Sequence, residues 1–353
     1  MTEASVADRT YIPASDLEEL IEAFGIGEVL DRQHLADGLM NVNWRLDTTV
    51  GRFALKRVTD VPLDQVRRNL GVLPFLASHG VPACAPLSTA SGDVVAEVGG
   101  SGYCLFSWSA GEHIRGIDLP LPQTSELGAH LARLHAALGR GADGAGLPSV
   151  PASVIAEVAD PGRAVQKADR LAGVVSARGA ADTFDVAAGV ALEERKILFD
   201  KHAHLRPEGD VPAGPHGWTH GDFQYRNLLW ADGELAAVLD WDRLGVRPYA
   251  EEVVRTAQVQ FGVEGVFDLE RVSAFVAGYR SVIPLEAAAL VDGARRLWWK
   301  RMTDFWQLEF HYDRDDHSCD DLFIADEALL HWWTERLDMV ERAFAGDDRR
   351  ARL

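Results

Sequence analysis

The octapeptide His220-Gly221-Asp222-Phe223-Gln224-Tyr225-Arg226-Asn227 is followed, thirteen residues beyond Asn227, by Asp240 within Val238-Leu239-Asp240-Trp241-Asp242. Short apolar runs surround Gly221 and Leu239, which sets Asp240 at the end of an apolar strand. An Asp with an Asn five residues later offers a carboxylate and an oxygen ligand from a single loop. A second Asp after the next strand offers a further ligand. Phosphoryl transfer from ATP needs such parts: a carboxylate beside the attacking hydroxyl, hard oxygen ligands for magnesium, and a positive charge on the α/β phosphates.

Outward from these loops, the order of elements divides the chain. Residues 14–25 read as an amphipathic helix, with Ser15 and Glu18 as a capping box. Strand-like runs follow at 28–36, 42–49 and 52–58, then a helix at about 63–79, then strands at 84–90, 93–98 and 102–108. After Gly111 the pattern turns helical, beginning with a strong helix at 125–139 that carries Leu127, Leu131, Leu134 and Leu138 on one face. The expected architecture is α+β: a small β-rich lobe over 1–107 and a larger helical lobe over 108–353, joined near Trp108.

With 353 residues and 47% hydrophobic content, the chain is long enough for two lobes around a sizeable core. Its 35 Lys and Arg against 54 Asp and Glu give a net charge of −19, which argues against a nucleic-acid or anionic membrane surface. The acidity is compatible with a cationic small substrate, although solubility alone also accounts for it. Three widely spaced cysteines make neither a disulfide framework nor a zinc knuckle. Met1-Thr2-Glu3-Ala4 lacks the basic and apolar regions of a secretory signal, so a cytoplasmic, reduced protein is expected.

His220-Gly221-Asp222-(x)4-Asn227 and Leu239-Asp240-Trp241-Asp242 together resemble the aminoglycoside phosphotransferase and choline kinase superfamily of protein-kinase-like small-molecule kinases. The resemblance covers most of the chain and implies a protein-kinase-like bilobal fold that uses ATP and Mg2+. Phe53-Ala54-Leu55-Lys56 resembles the strand that carries the phosphate-binding lysine, here Lys56. Ala36 to Asn43 resembles a nucleotide loop, with Gly38 permitting close approach to phosphate and Asn41 holding the turn. Gly80-Val81-Pro82-(x)3-Pro86 resembles the stretch after the lobe helix, and Leu131-Ala132-Arg133-Leu134-His135 the family's L-A-x-L-H helix. Tyr103 to Trp108, with Gly111-Glu112, resembles the hinge that receives adenine, which makes Phe106 and Trp108 nucleotide contacts.

The same resemblance implies that Asp222 orients and deprotonates the acceptor hydroxyl while Asn227 and Asp240 hold magnesium. Arg226 either meets the transferred charge or pairs with a surface acid. Three departures from the family pattern stand out, one being that the loop from Ala36 to Asn43 has a single Gly. Gln224 occupies the place of a His, and no Glu occurs between 56 and 80 to pair with Lys56. Asp64, Asn69 or the phosphates alone remain as partners for that lysine.

The acceptor pocket of this family lies in the helical lobe. Candidates there are Trp298, Trp306, Glu309, Asp313 and Asp316, with Asp242 from the metal loop. Acids beside aromatics suit a protonated amine or a sugar. An aminoglycoside or amino sugar is therefore the first expectation, and homoserine, choline or methylthioribose the second. A catalytically weak nucleotide-binding protein on the same fold is the third. Gly139 to Gly144 matches G-x-G-x-x-G but follows a helix, and the run Asp313 to Asp321 lacks the central Gly and closing Glu of a calcium loop.

Overall fold

The computed structural model describes residues 11–35, 41–141, 146–179 and 182–346. The chain forms two compact units that are discontinuous in sequence. The first comprises Met1–Ile114, Leu134–Val150 and Trp218–Gly245, and the second the intervening segments and Val246–Leu353. The catalytic and metal loops therefore belong to the same unit as the N-terminal strands.

In the first unit, α1 (Ala14–Phe24) precedes β1 (Val29–Leu35), β2 (Val42–Thr48) and β3 (Arg52–Val58). After α2 (Leu63–Gly71) and α3 (Leu73–Ser78) come β4 (Ala96–Val98) and β5 (Ser101–Ser107). The five strands form one antiparallel sheet in the order β1-β2-β3-β5-β4. Alternation in β2 buries Trp44 and Leu46, which join Leu55, Tyr103 and Leu105 beneath Leu20 and Phe24 of α1. The register pairs Lys56 with Asn43 on one side and Cys104 on the other, in the middle of the sheet.

Three local expectations change. Ser15 lies inside α1, and its hydroxyl bonds Asp16 rather than capping the helix, which starts after Pro13. The helix expected over 63–79 is broken at Val72, because Pro74 sits in the first turn of a new helix. The run 84–90 makes only an isolated bridge from Pro86 to Phe106 where a strand was expected, since Pro82 and Pro86 lack the amide donors a ladder requires.

The second unit is helical. It holds α5 (Pro161–Arg178), α6 (Thr183–His202), α7 (Tyr249–Phe261), α8 (Leu269–Arg280), α9 (Ala287–Thr303), α10 (Trp306–Arg314), α11 (Asp320–Glu335) and α12 (Leu337–Ala345). The N-terminal part of α4 (Leu121–Gly141) also belongs to it. Asp160, Asp182 and Asp268 cap α5, α6 and α8 with their side chains. Where α4 crosses α8, Gly128 faces the backbone of Phe275 and Gly278 faces that of Ser125. A Cβ at either glycine would collide with a carbonyl oxygen. No helix among the described residues is long and apolar enough to cross a membrane.

Gly278→Ala should therefore force these helices apart and cost about 1–3 kcal/mol. Urea unfolding checks this, and an unchanged midpoint would contradict the close crossing.

Candidate active site

The spacing between Asn227 and Asp240 has a simple physical origin. Strand β6 (His216–Thr219) leads into the first loop, and between Asn227 and Asp240 lies a hairpin of β7 (Leu228–Ala231) and β8 (Glu234–Val238). Asp232 and Gly233 both adopt positive φ at its tip, as a two-residue hairpin turn requires. The register Leu228↔Val238 brings the two open ends together, and the Leu239 amide donates to the Asn227 carbonyl at 2.8 Å. Thirteen residues thus bring Asn227 and Asp240 to the same end of the hairpin.

Internal hydrogen bonds fix the first loop. Asn227 Nδ2 donates to the Asp222 carbonyl at 2.8 Å and to Asp222 Oδ2 at 2.9 Å. Gln224 Nε2 donates to the same oxygen at 2.8 Å, so the amide that replaces a His steadies Asp222 directly. His220 is fully buried. Its Nε2 lies 3.0 Å from the Leu239 carbonyl, and its ring packs edge-on against Trp241 at 4.6 Å. The catalytic loop is thereby tied to the metal loop. With Nδ2 turned to Asp222, Asn227 keeps Oδ1 as its remaining ligand atom. Asn227 and Asp240 supply hard oxygen donors of the kind that fit Mg2+.

Lys56 reaches this end of the hairpin from β3. Its Nζ lies 2.7 Å from Asp240 Oδ1 and 2.7 Å from Asp242 Oδ1. Burial pulls the lysine pKa down, but the two carboxylates outweigh it and leave the pKa above the ordinary value. The partners of Lys56 are thus Asp240 and Asp242 rather than any residue of α2. Asp64 pairs with Arg67 at the surface. Asn69 Nδ2 donates to the carbonyls of Trp241 and Asp242 at 2.9 and 3.1 Å, and Gln65 reaches the latter at 3.3 Å. Helix α2 therefore holds the backbone of the metal loop. Asn41 completes the arrangement. It donates to Asp242 Oδ2 at 2.8 Å and accepts from the Thr59 amide at 3.2 Å. Asp240 itself has φ +57, an uncommon conformation that Asp tolerates better than most residues.

Two segments outside the loops brace the hairpin. The Val238 amide donates to the Pro82 carbonyl at 2.7 Å, which docks the Gly80-Val81-Pro82 segment on β8. Glu112 exchanges both backbone hydrogen bonds with Trp230 at 2.9 Å, so the segment after β5 crosses β7. The adjacent Gly111 has φ +141, and a Cβ there would lie 2.9 Å from the Trp230 carbonyl.

Other expected residues fall in different settings. Phe106 is half-buried in β5, and Trp108 lies just beyond it, exposed, its amide bonded to the Arg52 carbonyl. Arg226 is exposed and bonds the Tyr225 hydroxyl at 3.1 Å while lying over that ring. Gly38 lies outside the described residues.

In the second unit, Trp298 is fully buried and donates to Thr334. Glu309 pairs with Lys167, and Asp313 forms a bidentate pair with Arg170. Asp316 accepts the Ser318 amide. Trp306 lines a cavity of about 750 Å³ with Arg247, Arg255, Lys300, Glu251 and Asp292. Asn69 and Gln65 were missed as holders of the metal loop. The one available signal for Lys56 was a second acid two residues after Asp240.

The Phosphotransferase enzyme family profile matches residues 31–289, and the chain belongs to that family. It is a small-molecule kinase with a protein-kinase-like fold. The homoserine kinase of Methylobacillus flagellatus is 25% identical over 315 residues, covering 84% of this chain and 87% of that protein. That of Xanthobacter autotrophicus is 27% identical over 290 residues, covering 79% and 80%. Among solved structures, a spectinomycin phosphotransferase in complex with ADP and spectinomycin superposes with a TM-score of 0.62 at 16% identity, covering 95% of this chain and 99% of that one. A microcompartment-associated aminopropanol kinase gives 0.59 at 17%, covering 92% and 98%. At these identities the two structures share the fold.

Asn69→Leu leaves the Trp241 carbonyl without its amide donor in a buried setting and the Asp242 carbonyl with Gln65 alone. It should cost about 1–3 kcal/mol in urea unfolding. A midpoint equal to that of the native chain would contradict the role of α2 as the holder of the metal loop.

Proposed function

We propose that this protein transfers the γ-phosphoryl group of ATP to the hydroxyl of a small amine-bearing alcohol, with homoserine as the leading acceptor. The observation that carries the chemistry is the convergence of Asp222, Asn227, Asp240 and Lys56 at one end of the β7–β8 hairpin. Acids beside aromatics favoured aminoglycosides and amino sugars in the sequence. The acids in question, Glu309 and Asp313, are paired with Lys167 and Arg170. The curated relatives that match across most of both chains are homoserine kinases. Both observations move a small amino acid alcohol ahead of a polycationic antibiotic.

In this reading Asp222 accepts the proton of the acceptor hydroxyl and orients it toward the phosphorus. Gln224 and Asn227 hold the Asp222 carboxylate, so little reorganisation is needed at the moment of transfer. Lys56 grips the α/β phosphates while Asp242 remains its fixed counter-charge. Asn227 and Asp240 would hold Mg2+, which neutralises charge on the phosphates when bound. The backbone from Phe106 to Trp108 receives adenine. Arg226 stands next to the catalytic loop to meet charge on the transferred group. The lobes are taken as 1–107 and 108–353, and the protein as a cytoplasmic one.

The test is ADP release with Mg2+-ATP and a panel of homoserine, choline, methylthioribose, amino sugars and aminoglycosides. Homoserine should give the highest kcat/KM. Asp222→Asn should lower kcat at least about 100-fold with an unchanged urea midpoint. Turnover of an aminoglycoside alone would replace the acceptor. Full activity of Asp222→Asn on the true acceptor would overturn the mechanism.

A further inference from the structure

The run Asp313 to Asp321, which fails as a calcium loop, contributes two residues to a different constellation. His311 lies in the last turn of α10, and Asp315, with φ +54, reverses the chain after Arg314. Asp320 then opens α11. The turn brings three side chains together. Nδ1 of His311 lies 3.1 Å from Nδ1 of His317 and 3.0 Å from each Asp320 oxygen. Nδ1 of His317 lies 3.3 Å from Asp320 Oδ2. Ligand atoms bound at about 2.0–2.2 Å to one tetrahedral zinc stand roughly 3.3–3.6 Å from each other. The triangle here is close to that size.

Hydrogen bonding alone serves this triangle poorly. Both Nδ1 atoms lie within reach of the Asp320 carboxylate, but protons on both would crowd two N–H groups at 3.1 Å, so the contact between the two histidines is favourable only when one Nδ1 carries no proton. At least one nitrogen lone pair therefore faces its neighbours across the triangle. A cation placed among the three atoms satisfies all of them. The setting is also prepared in advance. The His311 ring stacks on Phe184 at 4.2 Å and 14° between planes, and its side chain is 1% exposed, so its orientation is fixed by packing. His317 is 54% exposed and gives the ion a way in. The outer nitrogen of His317 lies 3.5 Å from Asp315 Oδ1, the kind of carboxylate contact that orients metal-binding imidazoles. Two imidazole nitrogens select against Mg2+ and Ca2+, which prefer oxygen, and for a cation of the zinc class.

We infer that His311, His317 and Asp320 form a binding site for a divalent transition cation of the zinc class. Three protein ligands leave a fourth position for water, and the ion pins the turn between α10 and α11. The site uses none of the residues assigned to phosphoryl transfer, so the two assignments stand or fall separately.

The test is titration of the full, chelator-stripped protein with Co2+ in excess Mg2+, followed by visible absorption. One Co2+ per chain should bind with the intense spectrum of a tetrahedral site, and Zn2+ should displace it and raise Tm. His317→Ala, at an exposed position, and Asp320→Asn should each weaken binding at least about 100-fold, since loss of even an outer-shell partner costs 10–100-fold. Comparison of metal-free urea midpoints separates ligand loss from unfolding. Absence of saturable binding in the native chain would overturn the site. So would binding that persists unchanged in both variants, or a variant whose weaker binding is matched by metal-free unfolding.

Discussion

A lysine ammonium held between two carboxylates is the constraint on which the first unit is built. Lys56 comes from the middle of the sheet, and Asp240 and Asp242 from the far end of a hairpin 184 and more positions later. Its side chain is only 13% exposed, so the charge must be matched where it sits. Much of the surrounding detail serves that match. Asn41 fixes one oxygen of Asp242, Asn69 and Gln65 hold the backbone beneath it, and His220 ties the neighbouring loop to Leu239. An acid on the metal loop thus does what an acid on the lobe helix does in the family pattern. The helix, relieved of that task, contributes amides instead.

The electrostatics follow from the same contact. The protein carries −19 overall, yet its proposed partner is a polyanion. Lys56 with Asp240 and Asp242 is itself net negative, so a nucleotide needs a divalent cation to approach it. Individual acids elsewhere sit in local pairs, as Arg170 with Asp313 and Arg301 with Asp326 illustrate, while the excess of 19 acids has no Lys or Arg to match it. Such exposed pairs contribute little to stability, commonly about 0–1 kcal/mol. Net charge is therefore a poor guide to what the site binds.

What was legible in the sequence was mostly local. His220 to Asn227 and Leu239 to Asp242 carry their geometry in their spacing, because a short hairpin leaves little choice. The second strand could be read from the alternation of Val42, Trp44 and Leu46, and Gly25 and Gly80 from helix ends that need positive φ. The partner of Lys56 could not be read this way, since no periodicity links position 56 to position 242. Trp298 and Trp306 look alike in sequence, yet one is sealed in the core by Thr334 and the other lines a cavity. Glu309 and Asp313 looked like acceptor contacts until α5 supplied Lys167 and Arg170. Each case depends on a contact between distant segments, which pattern alone does not carry.

The most direct test of the lysine assignment is Mg2+-ADP affinity, by isothermal titration, in two single variants. Asp242→Asn removes the fixed counter-charge of Lys56, whereas Asp64→Asn removes the only acid on α2. The account predicts binding weakened at least about tenfold, or roughly 1.4 kcal/mol, in the first and unchanged in the second. Equal affinities in the native chain and Asp242→Asn, or a loss confined to Asp64→Asn, would contradict it.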